Sequence, residues 1–121
     1  MEPIDWEALR ENCAGDESLV VEVLELFRKE APALLTDVGA AVTKGDAVAV
    51  KHTAHRLKGA LASLAAGPCT TTSRELELMG SKGELGQAAQ MFGQLEREMQ
   101  QLLTVLTAQA SVQPQSTTAR A

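Results

Sequence analysis

His55, Lys58 and Gly59 are the residues of this 121-residue chain whose types and spacing could do chemistry. A neutral imidazole is a nucleophile near neutral pH, because the unperturbed pKa of histidine is about 6.5. Lys58, three residues on, shares its side of a helix and can bring an ammonium beside a charge placed on the ring. Gly59, four residues on, also shares that side. A glycine in a helix interior costs about 1 kcal/mol relative to alanine, so something must offset it, and the missing side chain leaves the imidazole open to a bulky group. A bare histidine, a neighbouring cation and a clearing suit a phosphoryl group: the ring nitrogen can take it, and the lysine can stabilise the negative oxygens.

The helix that must carry these residues is the stretch from Lys51 to Ala66. At about 100° per residue, Val50, Ala54, Leu57, Leu61 and Leu64 fall on one side and form a buried stripe. The opposite side centres on His55, Gly59, Ala62 and Ala66, edged by Lys51 and Lys58 on one flank and by His52 and Ser63 on the other. An ordinary solvated face would be filled with Glu, Lys and Gln, whereas this one keeps small residues around a histidine. Lys51, His52, Gly59, Ala62, Ser63 and Ala66 are therefore predicted to form a partner-binding surface. His52 is a rival acceptor, but it has His55 and Arg56 where a lysine and a glycine should follow, and it reads as a surface histidine. Lys51 reads equally as added local positive charge or as a solvated lysine.

His55-Arg56-Leu57-Lys58-Gly59, preceded by Ala54 and followed by Ser63-Leu64-Ala65-Ala66, resembles the His-x-x-Lys-Gly signature of histidine phosphotransfer (HPt) domains. The likeness extends through Phe27 to Pro32, Gly45-Asp46 and Arg74-Glu75-Leu76-Glu77, and covers about residues 4 to 106. One departure is that many members have Gly-Ala where this chain has Ala65-Ala66. The resemblance implies a helical bundle that carries a phosphoryl group on one histidine between the aspartates of response-regulator receiver domains. It implies His55 as phospho-acceptor and Lys58 as the stabiliser of the phosphoryl group, with receivers or a hybrid sensor histidine kinase as partners. No cofactor is expected in the chain itself, and Mg²⁺ is expected only in the partner receiver.

Composition sets the frame. One domain with a single core fits this length, and 45% hydrophobic with 22% charged residues is ordinary for a soluble protein. Aromatics are limited to Trp6, Phe27 and Phe92, so the core must be aliphatic, which favours helices over a sheet. A formal net charge of −5 argues against a nucleic-acid binder. Cys13 and Cys69 lack zinc or Cys-x-x-Cys spacing and read as reduced, packed residues. The first residues include Glu2 and Asp5 without an apolar run, and no stretch approaches ~20 apolar residues. A cytoplasmic monomer away from membranes is expected.

Along the chain, Asp5 caps a short helix that ends near Cys13 to Gly15, with Ile4 placed to staple onto Leu9. Helical spacing then runs from about Glu17 to Lys44 in one long helix kinked at Pro32, because the stripe keeps its phase across the proline. Gly45 stops it and Asp46 caps the helix bearing His55, which is predicted to stop at Gly67-Pro68. Cys69, Thr72, Ser73, Leu76 and Met79 mark a shorter helix ending around Gly80 to Gly83. Leu85 to Leu106 carries the last long stripe. The expected fold is all-α: an antiparallel up-and-down four-helix bundle over residues 1–108 with a short additional N-terminal helix, followed by a disordered tail or linker remnant over 109–121.

Two other classes compete. A non-catalytic helical-bundle interaction module explains the small-residue face but not the choice of His55 with Lys58. A metal-binding bundle could use His52 and His55, but such sites need Glu-x-x-His pairs and further carboxylates facing inward, and these histidines face outward. No metal site is expected. The sequence contains no glycine-rich nucleotide loop, so the protein is expected to carry phosphate without phosphorylating itself from ATP.

Overall fold

The computed structural model describes the backbone of residues 2–120 and the side chains of residues 2–108. Five helices follow in order: α1 (Trp6–Asn12), α2 (Glu17–Lys44), α3 (Ala47–Ser63), α4 (Gly67–Lys82) and α5 (Ala88–Arg120). The expected tail, residues 109–121, lies outside the residues described with side chains.

The helix starts are set locally. Asp5, Asp16 and Asp46 each sit in extended backbone one residue before a helix, and each carboxylate accepts a hydrogen bond from the amide three residues on, at 3.0, 3.2 and 3.1 Å. These bonds satisfy amides that the first turn leaves without partners. The stops at Gly45 and Gly83 are left-handed, with φ of +67° and +71°, a conformation that glycine adopts without a Cβ penalty. Helix α2 runs unbroken through Pro32, which is exposed.

Helix α3 ends earlier than the spacing predicts. Its last residue is Ser63, and Gly67-Pro68 opens α4 instead of closing α3. Proline is tolerated in a first turn, where its missing N–H has no helical partner in any case. The stop itself is a Schellman closure: Ala66 N–H donates to the Leu61 carbonyl at 3.0 Å and Ala65 N–H to that of Ala62 at 3.0 Å. Ala65 holds the left-handed position at φ +62° although it carries a side chain. Its carbonyl accepts from the Asp5 amide at 2.9 Å, which ties the start of α1 to the α3–α4 turn.

Helices α2, α3, α4 and α5 pack in a closed ring, α2 on α3, α3 on α4, α4 on α5 and α5 on α2, with α1 laid against α2. Short connections make ring neighbours antiparallel. The interior is aliphatic, built on the stripe Val50, Ala54, Leu57 and Leu61 of α3, with Leu76 of α4, Val38 of α2 and Leu95, Met99 and Leu102 of α5, all fully buried. Ile4, just before α1, and Leu9, within it, are both buried. Two glycines permit close approach between helices: a Cβ on Gly39 would lie 2.7 Å from the Phe92 ring, and a Cβ on Gly80 would lie 2.5 Å from the Lys51 amide nitrogen and 2.7 Å from the Ala47 carbonyl oxygen. The second contact sets how closely α4 approaches the helix that bears His55.

Candidate functional site

Burying the apolar stripe of α3 leaves His55 facing outward, with 67% of its side chain exposed. Helix α4 runs antiparallel beside it. Because Gly80 lies against Ala47 and Lys51, the residue one turn earlier on α4, Glu77, comes level with the residue one turn later on α3, His55. Glu77 Oε2 lies 2.9 Å from His55 Nδ1, and Glu77 Oε1 lies 2.7 Å from Lys58 Nζ. The contact with Lys58 is an ion pair poorly aligned as a hydrogen bond. One carboxylate thus bridges the histidine and the lysine.

The Glu77 side chain is only 19% exposed. Burial pushes its carboxyl upward, but the contacts and charges of Lys58 and His55 outweigh that and hold it below the ordinary value of 4.5. Glu77 is therefore ionised at neutral pH and can only accept hydrogen bonds. The proton of the shared bond belongs to His55 Nδ1. In a neutral imidazole this leaves the lone pair on Nε2. The ring nitrogen away from the bundle is the one fit to attack an electrophile.

Around this trio the predicted surface is mostly present. Lys51, His52, Ala62 and Ser63 are exposed, and Gly59 has open space where a Cβ would project. The Ser63 hydroxyl donates to the Gly59 carbonyl at 3.2 Å, within α3 itself. Ala66 does not belong to the surface: it is fully buried, because α3 has already ended and the chain has turned inward toward α4. Val48, 64% exposed two turns before His55, extends the same face with an apolar side chain that sequence reasoning did not single out. Beyond Ala62, at the α3–α4 turn, an open and largely apolar groove of about 700 Å³ is lined by residues that include Ile4, Trp6, Ala65 and Pro68. It touches none of the reactive trio.

Glu77 is the site residue that spacing did not expose. It belongs to the Arg74-Glu75-Leu76-Glu77 segment of the family likeness, but nothing in the periodicity of α4 distinguishes it from Glu75, which is exposed. Helix α3 has no acidic residue and carries Lys51, Arg56 and Lys58, so it is a cationic strip on a chain of net charge −5. Among the described residues there is no cluster of three or more His, Cys, Asp or Glu that could hold a metal, and no helix long and apolar enough to cross a membrane. Cys69 is buried, and burial together with Glu98 pushes its thiol up to about 12, which leaves it unreactive.

Comparison with known proteins bears on the family and the fold. The family model described as Hpt domain matches residues 22–105. No curated protein matches the sequence. Among solved structures, the chain is similar to histidine-containing phosphotransfer protein B (HptB) from Pseudomonas aeruginosa PAO1. The two share 28% sequence identity and a TM-score of 0.82, over 88% of this chain and 93% of that one.

Proposed function

This chain belongs to the Hpt domain family, and from that premise we propose that His55 is the residue through which it carries phosphate. A phospho-aspartyl receiver domain docks over the cationic face of α3 and presents its phosphorus to His55 Nε2. The lone pair of Nε2 forms the new N–P bond as the acyl phosphate O–P bond breaks, and the electron pair returns to the aspartate carboxylate. A second receiver takes the group by the reverse of this step. Lys58 draws the phosphoryl oxygens electrostatically, and Gly59 leaves room for the acidic pocket of the partner. Mg²⁺ and the acidic residues that hold it are the receiver's contribution.

The observation that carries this reading is the commitment of Nδ1 to Glu77 on an exposed ring, which leaves Nε2 as a free nucleophile beside a lysine and a clearing. The test is incubation with a panel of phosphorylated receiver domains, followed by mapping of the acid-labile phosphate. Label on His55, absent from a His55→Gln variant that keeps its fold, is the expected result. Label on His52, or none from any receiver, would sink the assignment.

A further inference from the structure

Resting on the reading of His55 as the phosphoryl carrier, we propose that the Ser73 hydroxyl is a reserve hydrogen-bond donor for Glu77 Oε1, which it takes over when Lys58 leaves that oxygen for the phosphoryl group. Ser73 is then a positioning residue that acts through Glu77 and Lys58.

Among the described residues, two buried side-chain oxygens have no hydrogen-bond partner, Ser73 Oγ and Glu77 Oε1. A buried polar atom left without a partner costs free energy, and these two lie one turn apart on α4. Residues four apart share a helix face, with Cβ atoms about 5–6 Å from each other. A long helical side chain leans back over the turn before its own Cα, so the Glu77 side chain leans toward Ser73. Ser73 also lies two turns before Gly80, which returns it to the face of α4 that packs on α3. Since Gly80 lies against Ala47 and Lys51, the antiparallel run brings Ser73 level with the turn of α3 that holds Leu57 and Lys58. Ser73 is fully buried there. Its hydroxyl is not tied back into the helix, unlike that of Thr70, which donates to the Ala66 carbonyl at 2.7 Å.

The need for a second donor comes from the double use of Lys58. At rest its Nζ lies 2.7 Å from Glu77 Oε1, and during transfer the same ammonium, on a flexible four-carbon stem, serves the phosphoryl oxygens. When it turns to them, Oε2 keeps its bond to His55 Nδ1, but Oε1 is left covered and without a partner. A covered carboxylate oxygen in that state is costly. The Ser73 hydroxyl hydrogen rotates to suit its surroundings, and by turning to Oε1 it satisfies both oxygens at once. No covalent bond forms or breaks, and the ion pair closes again once the phosphoryl group has gone.

The test uses the full chain with Ser73→Ala, alone and combined with Lys58→Met, which removes the ammonium but keeps an unbranched stem. Stability is read by chemical denaturation, and loading by the rate of phosphorylation from potassium phosphoramidate, a small donor that needs no receiver. With Lys58 present, Ser73→Ala removes a resting hydroxyl that has no partner, so the denaturation midpoint should hold or rise. In the Lys58→Met background the hydroxyl is already on Oε1, and the same change should lower the midpoint. Loading should show the reverse pattern. Ser73→Ala should slow it by about tenfold when Lys58 is present, as for one lost hydrogen bond to a charged group, and should not alter it in Lys58→Met, where no ammonium has to leave. Equal stability changes in the two backgrounds would mean that Ser73 only packs, and would overturn the proposal; so would wild-type loading by Ser73→Ala. Phosphate mapping separates the two levels of failure: label away from His55 overturns the carrier assignment and the proposal with it, whereas label on His55 without the crossed pattern overturns the role of Ser73 alone.

Discussion

Gly80 lies so close to Lys51 that a Cβ there would come within 2.5 Å of the Lys51 amide nitrogen. This contact between α4 and α3 brings Glu77 level with His55. Gly80→Ala must push the two backbones apart, and overpacking of this kind costs about 1–3 kcal/mol. Chemical denaturation should show that loss, and nitrogen NMR of His55 should show a weakened Nδ1 bond. An alanine variant as stable as wild type, with its His55 signals unmoved, would mean that Gly80 does not set the helix spacing.

Gly59 of α3 should behave in the opposite way, since it faces open space. Gly59→Ala should gain up to about 1 kcal/mol by helix propensity. Gly59→Glu should fold equally well but accept phosphate from receivers much more slowly, because its carboxylate obstructs the clearing and repels the incoming group. Circular dichroism paired with a transfer assay separates these effects. Wild-type transfer by Gly59→Glu would leave the clearing without a function.

Ala65 occupies a left-handed position at φ +62°, where a Cβ costs about 1–2 kcal/mol. Glycine removes that strain and gives back part of the gain as unfolded-chain entropy. Ala65→Gly should therefore stabilise the protein by up to about 1 kcal/mol, read as a rise in the denaturation midpoint. The same change at Ala66, which is buried and not left-handed, should bring no gain.

The carboxyl of Glu77 is held below 4.5 by Lys58 and His55 against the opposing effect of burial. A lowered folded-state value means that the pair stabilises the fold above the unfolded pKa and loses this contribution as pH falls through the folded one. Wild type should therefore lead Glu77→Gln in stability at pH 5, and the difference should shrink steadily toward pH 3. A gap that widens on acidification would reverse the sign assigned to Glu77.

Lys58 is 27% exposed and paired with Glu77. An ion pair near the surface contributes about 0–1 kcal/mol, so Lys58→Ala should lower stability only slightly and weaken receiver docking little. If Lys58 stabilises the phosphoryl oxygens as proposed, transfer to and from His55 should slow by more than docking weakens. Equal losses in binding titrations and transfer kinetics would reduce Lys58 to a docking contact.

The parts of this protein that depend on neighbours in sequence were legible without coordinates. Asp5 and Asp46 cap amides three residues away, and the glycine stops at 45 and 83 need only their own φ. The periodicity of α3 places His55, Lys58 and Gly59 on the outward side because the same wheel sends Val50, Ala54, Leu57 and Leu61 inward. Signals that serve two ends of a helix were misread. Gly67-Pro68 suits a helix stop as well as a first turn, and the choice fell to the Ala65 turn, whose carbonyl is held by Asp5, 60 residues earlier in the chain. Ala66 went from the surface to the core with that choice. Helix periodicity states which side faces in, but not which flank of a neighbouring helix lies alongside. The meeting of His55 with Glu77, 22 residues away, was therefore decided by the tertiary structure, through the approach of two helix backbones that Gly80 allows.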